Sequence, residues 1–461
     1  QPAQIDGAGG NGRDYFDPGI FERVEILRGS GSSLYGSDAM GGVVSFETRS
    51  LEEELEASER PWLLNNRLAY QSANKEFSHV LNAGLREGPW YVTLSNALRS
   101  GEETENDKGE IAANPLDSWS KHLLGKISYH MDEAQQLTFT AEHFNREQDT
   151  DLDSLKSNGD GVSSLQTVLA ETIADDSRTR YSIEYQDSKA HALWDHLSVK
   201  LYYQYSETNT ETNTQTRFAN ILSRDRTDEI QFAQSALGLA TQFTKEYQSF
   251  GMEHSFIYGI ESSAENAQNT FTRTDRALGG SAPVERPAFD EAELGRYDLF
   301  FQNLTTKDRW LFQAGLRLGY YEILPANSDD FLNQTNAPEA SPDYSKFSIS
   351  PSASIQHELN DASVLWARYA KGIRNPSAED YVGFFNHSAT GAYFSQIPNP
   401  NLEEESSDSF DLGIKYASKS LELELTTYYT LYDGFISLET IGQEAGPPVT
   451  EIQQARNIGE V

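Results

Sequence analysis

From about residue 60 onward the side chains alternate between apolar and polar with a period of two. In the stretch 79–86, His79, Leu81, Ala83 and Leu85 fall on one face and Val80, Asn82, Gly84 and Arg86 on the other. After a turn at Glu87-Gly88-Pro89, Trp90, Val92, Leu94 and Leu98 alternate with Tyr91, Thr93, Ser95 and Arg99. A period of two is that of a β-strand, and two such runs joined by a tight turn make a hairpin with one oily and one wet face. The same pattern returns at Ile127–Ala141, Leu197–Tyr205, Trp310–Tyr320 and Leu421–Tyr429. Roughly fifteen segments of about ten residues or more follow it. Their connections alternate in length. Short ones fall near 87–89, 132–135, 188–194, 246–252, 305–309, 359–362 and 418–420, and long polar ones near 100–118, 147–178, 207–232, 264–292, 322–344, 373–407 and 439–450.

No apolar run approaches the ~20 residues that a membrane helix needs. A soluble sandwich has no reason to gather every long loop at one end, whereas a membrane barrel has tight turns on one side and long loops on the other. Closure into a barrel also pairs the edge N–H and C=O groups, to which lipid offers nothing. The expectation is therefore an all-β transmembrane barrel. Residues 1–50 differ: they are rich in glycine and hold two short β-runs, Val24–Leu27 and Val43–Thr48. They form a separate small unit, with 51–62 as a linker and 63–461 as the barrel.

Composition narrows the function. A formal charge of −35 argues against nucleic acid and against a polybasic membrane anchor. With no cysteine, disulfides, zinc thiolates, iron–sulfur clusters and thiol nucleophiles are excluded. Acidic pairs such as Asp329-Asp330 and the run Glu403-Glu404-Glu405 read as solvated loop charge, without the spacing of a calcium loop. No nucleophile and base fall in an enzymatic arrangement, so the expectation is a protein that is not an enzyme and carries no catalytic cofactor.

The glycine-rich stretch "VEILRGSGSSLYGSDAMGGVVSFET" (24–48) invites a phosphate-loop reading. No Lys-Ser or Lys-Thr follows the glycines, and the sixth position counted from Gly29 is Leu34 rather than glycine, so neither nucleotide fingerprint fits. A structural reading fits better: Gly29, Gly31, Gly36, Gly41 and Gly42 allow positive φ and close backbone approach, letting two short strands turn within a small volume. A compact unit of that kind suits the lumen of a wide barrel, which would otherwise be an open hole.

The run "FERVEILRGSGSSLYGSDAMGGVVSFETRS", with Arg28, Gly29, Leu34, Tyr35, Gly36, Gly41 and Gly42 as its motif, resembles the end of the plug domain of TonB-dependent outer-membrane receptors. It departs from the family pattern at Ser30, where proline is usual. The resemblance implies a barrel of about 22 antiparallel strands in the full protein, with an α+β plug in the lumen. It implies that this sequence carries the later part of the plug and part of the barrel, and that the energy-coupling segment and the last strands lie outside it. Its flanks, "GRDYFDP" and "VSFET", resemble the haem and haemoglobin receptor branch.

A second stretch, "KGIRNPSAEDYVGFFNHSATGAYFSQIPNPNLEEE", resembles the segment of haem receptors between two conserved boxes. The first box reads Ile373-Arg374-Asn375-Pro376, degenerate at its first and third positions; the second, Asn399-Pro400-Asn401-Leu402, is intact. His387 lies between them, flanked by Phe384, Phe385, Tyr393 and Phe394. Haem iron takes an axial nitrogen, sulfur or phenolate oxygen, and aromatic rings stack on its macrocycle. Without cysteine the candidate iron ligand is His387, with Tyr381 and Tyr393 as alternatives and Phe385 as a stacking partner. His122, after a long loop, is a weaker second histidine.

The resemblance therefore implies a monomeric transporter of the bacterial outer membrane, embedded in lipid. It would take haem, free or from haemoglobin or another haemoprotein, and work with TonB of the inner membrane. A ferric siderophore or cobalamin on the same fold, and an adhesin, are the alternatives.

Overall fold

A computed structural model describes residues 16–104, 114–156, 165–218, 221–276, 284–333, 339–389, 392–444 and 449–459. Asp17 caps a 3-10 turn (Pro18–Ile20), its carboxylate accepting from Gly19 N, and the chain enters an antiparallel hairpin of β1 (Phe21–Arg28) and β2 (Gly42–Thr48). Between them lies one helical turn, α1 (Ser32–Tyr35). Two glycines are required here by geometry. Gly36 has φ 82°, and a Cβ there would stand 3.2 Å from the Arg317 guanidinium; Gly42 has φ 153°, and a Cβ would meet the Leu27 carbonyl oxygen at 2.6 Å. Gly29 also has positive φ, but Gly31 and Gly41 do not. Gly31 is needed instead for room, since a Cβ would lie 2.9 Å from the Leu27 side chain.

The segment expected as a linker carries a short helix, α2 (Glu52–Glu56). Leu51 and Leu55 are buried beside Tyr91, and the absent side chain of Gly84 makes room for them. A meander follows: β3 (Trp62–Gln71), β4 (Glu76–Glu87), β5 (Trp90–Glu102), β6 (Leu116–His130), β7 (Gln135–Asp151), β8 (Leu165–Asp187) and β9 (His196–Phe218). It continues through β10 (Ile221–Ser249), β11 (Met252–Asp275), β12 (Val284–Lys307), β13 (Trp310–Pro325), β14 (Tyr344–Asn360) and β15 (Ser363–Arg374). The one-turn helix α3 (Asp329–Leu332) lies between β13 and β14, and α4 (Ala378–Val382) follows β15. After β16 (Phe385–Ala389) and β17 (Ala392–Ile397) the meander resumes with β18 (Glu405–Ala417) and β19 (Glu422–Asp433), and β20 (Phe435–Glu444) and β21 (Thr450–Ile458) follow. Fifteen strands, β3–β15 with β18 and β19, form one antiparallel sheet in sequence order, with β3 and β19 at its two ends. The other four, β16, β17, β21 and β20, form a small separate sheet in which β17 and β21 run parallel.

Both faces fall where the alternation puts them. Leu123, Ile127, Leu299, Phe301, Phe312, Leu316, Leu412 and Ile414 are exposed on the outside, while Thr93, Ser95, Ser128, Arg317 and Ser350 are buried on the inside, which the plug unit covers. Toward the short turns aromatic rings gather: Trp90 packs on Tyr129, Trp194 on Phe243, and Trp310 on Phe312 and His357. This is the girdle of a membrane interface.

The long polar stretches depart from expectation. Much of 147–178, 207–232 and 264–292 is strand rather than irregular loop: Asp151 pairs with Glu171, Gln215 with Leu169, and Arg226 with Asp275. β10 alone has 29 residues, about 95 Å at ~3.3 Å per residue, whereas spanning a bilayer takes ~9–11. Above the lipid both faces meet water, so the apolar–polar alternation disappears although the pairing does not. Runs such as Thr208-Asn209-Thr210 keep a β-branched residue at every second place, which holds a strand without grease.

The face assignment has a direct test. Leu299→Arg, on the outside of β12 near mid-membrane, should reduce unfolding free energy in lipid vesicles by about 2–4 kcal/mol. Thr140→Arg, on the inside of β7 beside a gap in the lumen, should change it far less. Equal losses would contradict the assignment.

Candidate functional site

The glycine-rich turn of the plug unit is fastened to the inner wall by polar contacts that converge on its backbone. Arg317 donates to the Leu34 carbonyl (2.8 Å), and Arg368 reaches the Ser30 and Arg28 carbonyls. Arg317 is itself held by Glu261 and by Asp298 (2.8 Å). A buried arginine is tolerable when its charge and donors are matched in this way. Arg296 donates to Asp38 at 2.9 Å.

The first box, Ile373-Arg374-Asn375-Pro376, ends β15 and lies directly on that turn. Ile373 N donates to Ser32 Oγ (3.1 Å), and its carbonyl accepts from Asp38 N (2.9 Å). Ser37 Oγ accepts from both Asn375 N (3.1 Å) and Asn375 Nδ2 (3.3 Å). Arg374 pairs with Asp380 (2.8 Å) and Glu405, and the Pro376 carbonyl accepts from Tyr321 OH (2.9 Å). The box thus joins the loop above it to the plug below.

The second box ties the other end of the loop. Asn399 Nδ2 donates to the Ala455 carbonyl (2.7 Å), and Asn399 Oδ1 accepts from Asn401 N (3.0 Å), forming a tight turn through Pro400. Leu402 is buried in an apolar cluster with Tyr381, Val382, Ile436, Tyr321 and Tyr344. Asn and Pro shape this turn and Leu anchors it.

Between the boxes, α4 begins with a capping box from Ser377 and Asp380. Tyr381 is 1% exposed and donates to the Pro342 carbonyl (3.1 Å). Burial, reinforced by Asp343, pushes its phenol up. A neutral phenol engaged in this way packs the loop and does not offer iron a phenolate. Phe384 is likewise buried, edge-on to Phe331 at 5.9 Å. Glu404, just past the second box, is also pushed up by burial, against the pull of Lys346 and Lys371. His387 lies on β16 directly across from Phe394 on β17, with Tyr393 across from Ser388 and Phe385 across from Gln396. The side chains of Phe385, His387 and Tyr393 lie outside the described residues.

His122 is not a mouth residue. It is fully buried on the inner face of β6, accepting from Asp17 N at Nδ1 (2.9 Å). The plug contacts of Ser32, Ser37, Asp38, Arg317 and Arg368 were not evident from sequence. Their one signal is that Arg317 and Arg368 fall in the polar phase of strands whose other phase is apolar.

A β-wall with an apolar exterior and a charged interior, a small unit lashed inside it and a strapped hairpin beyond the wall have counterparts among known proteins. Residues 118–461 match the TonB-dependent receptor-like β-barrel, and residues 2–43 the TonB-dependent receptor plug domain. A hemin receptor of Yersinia pestis is 23% identical over 460 residues, 96% of this chain and 61% of that protein. A rhizobactin receptor of Rhizobium meliloti is 20% identical over 480 residues, 92% of this chain and 61% of that protein. A double mutant of the Serratia marcescens hemophore receptor HasR, solved with its hemophore HasA and heme, superposes with a TM-score of 0.70 at 15% identity. That superposition covers 97% of this chain and 66% of the solved one. The chain spans about three fifths of the length of the relatives it matches. With the barrel match over three quarters of its residues and the plug match ahead of it, this chain belongs to the TonB-dependent receptors of the bacterial outer membrane.

Proposed function

We propose that this receptor captures haem at its outer face, with His387 as an axial ligand of the iron, and passes it inward when TonB moves the plug. The observation that carries this reading is the placement of the β16–β17 hairpin. It bears His387, belongs with β20 and β21 to the small sheet, and is tied by the first box to the plug turn and by the second to β21. A hairpin held at both ends can present an imidazole at a fixed height while staying within reach of a flat ligand, and stacking on Phe385 and Tyr393 would orient the macrocycle. The hemin receptor and the heme-bound hemophore receptor among the similar proteins support the same ligand, and a haemoprotein is a natural donor. The rhizobactin receptor supports a second reading, a ferric siderophore in the same mouth.

In this reading residues 1–50 are the end of the plug, 51–62 a linker and 63–461 the barrel, in a monomer that works with TonB. The protein transforms nothing: ligand enters and leaves chemically unchanged. The first box then couples capture to plug movement, since Ile373 and Asn375 touch the plug while Pro376 starts the loop.

Two measurements test this. Haem titrated into the full-length receptor should shift its main absorption band, and His387→Ala should abolish that shift or weaken binding at least about tenfold, equivalent to ~1.4 kcal/mol. No band shift at micromolar haem, together with binding of a ferric siderophore, would replace the haem reading by the siderophore one. Separately, Ser37→Ala leaves two donors of Asn375 without an acceptor. It should loosen the plug by about 1–3 kcal/mol and raise cell permeability to large antibiotics. Unchanged permeability would contradict the coupling role.

A further inference from the structure

The plug is fastened at a second place that haem capture does not use. Its geometry assigns His122 a definite protonation state. Asp17 N donates to His122 Nδ1 at 2.9 Å, so Nδ1 holds a lone pair. The ring proton is then on Nε2, which faces Glu142 Oε1 at 2.8 Å. A neutral imidazole is one donor and one acceptor, and this site uses both.

We propose that His122 is a positioning residue for plug movement: as neutral imidazole it holds the Asp17 turn to the wall, and on taking a proton at Nδ1 it lets that turn go. In the imidazolium both ring nitrogens donate, so Nδ1–H would point at Asp17 N–H, two donors face to face in a dry site. The turn's own carboxylate is already engaged. Asp17 Oδ2 accepts from Arg99 Nε (2.9 Å), and Oδ1 accepts from Gly19 N (2.7 Å) and Arg99 Nη2 (3.3 Å).

The charged and polar groups around the ring come from every neighbouring element. The 3-10 turn brings Asp17; β5 brings Arg99, which also pairs with Glu76, and Asn96, which donates to the His122 carbonyl. β7 brings Glu142, and Phe144 stands edge-on to the ring at 5.3 Å. β8 brings Arg178, paired with Glu142. Glu142 therefore does not act as a lone anion that would simply welcome an imidazolium. Glu142 also lines a gap of about 550 Å³ between the plug hairpin and the wall of β6–β9, with Lys126, Arg180, Glu184 and Lys200 around it.

The fastened state requires the neutral ring, so the released state binds one proton more, and release is favoured as pH falls. The apolar part of the fastening, Ile20 packed on Ala97 and Leu124, does not titrate and provides the reporter.

The test uses the full-length receptor in lipid nanodiscs with no thiol other than one introduced by Ile20→Cys, a position with no exposure. Its maleimide labelling rate is divided by that of Asp361→Cys, whose side chain is 99% exposed, to remove the reagent's own pH dependence. With native His122 the normalised rate should be about tenfold or more higher in acid than in mildly alkaline buffer. His122→Gln keeps an acceptor for Asp17 N and a donor for Glu142 but does not titrate, so it should stay slow and flat. His122→Ala should be fast at both ends. The histidine–glutamine comparison stands even if the alanine variant fails to fold, which loss of the heat-dependent gel shift would reveal. A flat profile with native His122, the same rise in His122→Gln, or fast labelling of His122→Gln at both ends would overturn the proposal. Haem binding enters none of these readouts, so the latch and the ligand stand or fall separately.

Discussion

In lipid a strand cannot leave its N–H and C=O groups unpaired, and every other feature of this receptor follows from that constraint. It forces the fifteen strands into one continuous antiparallel ladder. The ladder fixes a period of two along each strand, which divides each into a lipid face and a lumen face. The lumen face, having to meet water and the plug rather than lipid, is free to carry charge. Arg317, Arg368, Glu142 and Lys126 are there for that reason, and those same residues hold or surround the plug.

The plug is held in two chemically different ways. At the glycine-rich turn the contacts are arginines and hydroxyls on backbone groups, and the loop above shares them through Ile373 and Asn375. At Asp17 the contact is a dry charged network around His122. The first is shared with the loop that carries His387; the second is not. Between them a gap lined by Lys126, Arg180 and Lys200 separates part of the plug hairpin from the wall, and Lys126 Nζ crosses it to donate to the Thr48 carbonyl (2.7 Å).

Much of this was legible in the sequence. The barrel was readable because lipid enforces the alternation: Trp90, Val92 and Leu94 against Tyr91, Thr93 and Ser95 cannot be placed any other way. The plug turn was readable because Gly36 and Gly42 sit where a Cβ cannot. The signal failed where lipid stops. Thr208–Thr216 reads as loop from its polarity yet is paired strand, because water on both sides removes the alternation and leaves the pairing. The box residues were readable as a motif, but their roles were not. Asn375, Asn399 and Leu402 hold the loop in place, and Tyr381, offered as an alternative iron ligand, is buried with its hydroxyl engaged. His122, offered as a weaker second candidate after a long loop, is instead a buried wall residue, and its partner Asp17, 105 positions away, is linked to it by no local pattern.

The central claim is that these strands form a wall with lipid on one side and a wet, plugged lumen on the other. Single nitroxide labels along β13, at Leu316, Arg317, Leu318, Gly319 and Tyr320, can be placed one at a time because this chain has no cysteine of its own. In the full-length receptor in a bilayer, labels at 316, 318 and 320 should relax with dissolved oxygen and be shielded from a nickel chelate. Those at 317 and 319 should be shielded from oxygen and immobile against the plug. Collision profiles without a period of two, or with both phases open to the chelate, would contradict the account.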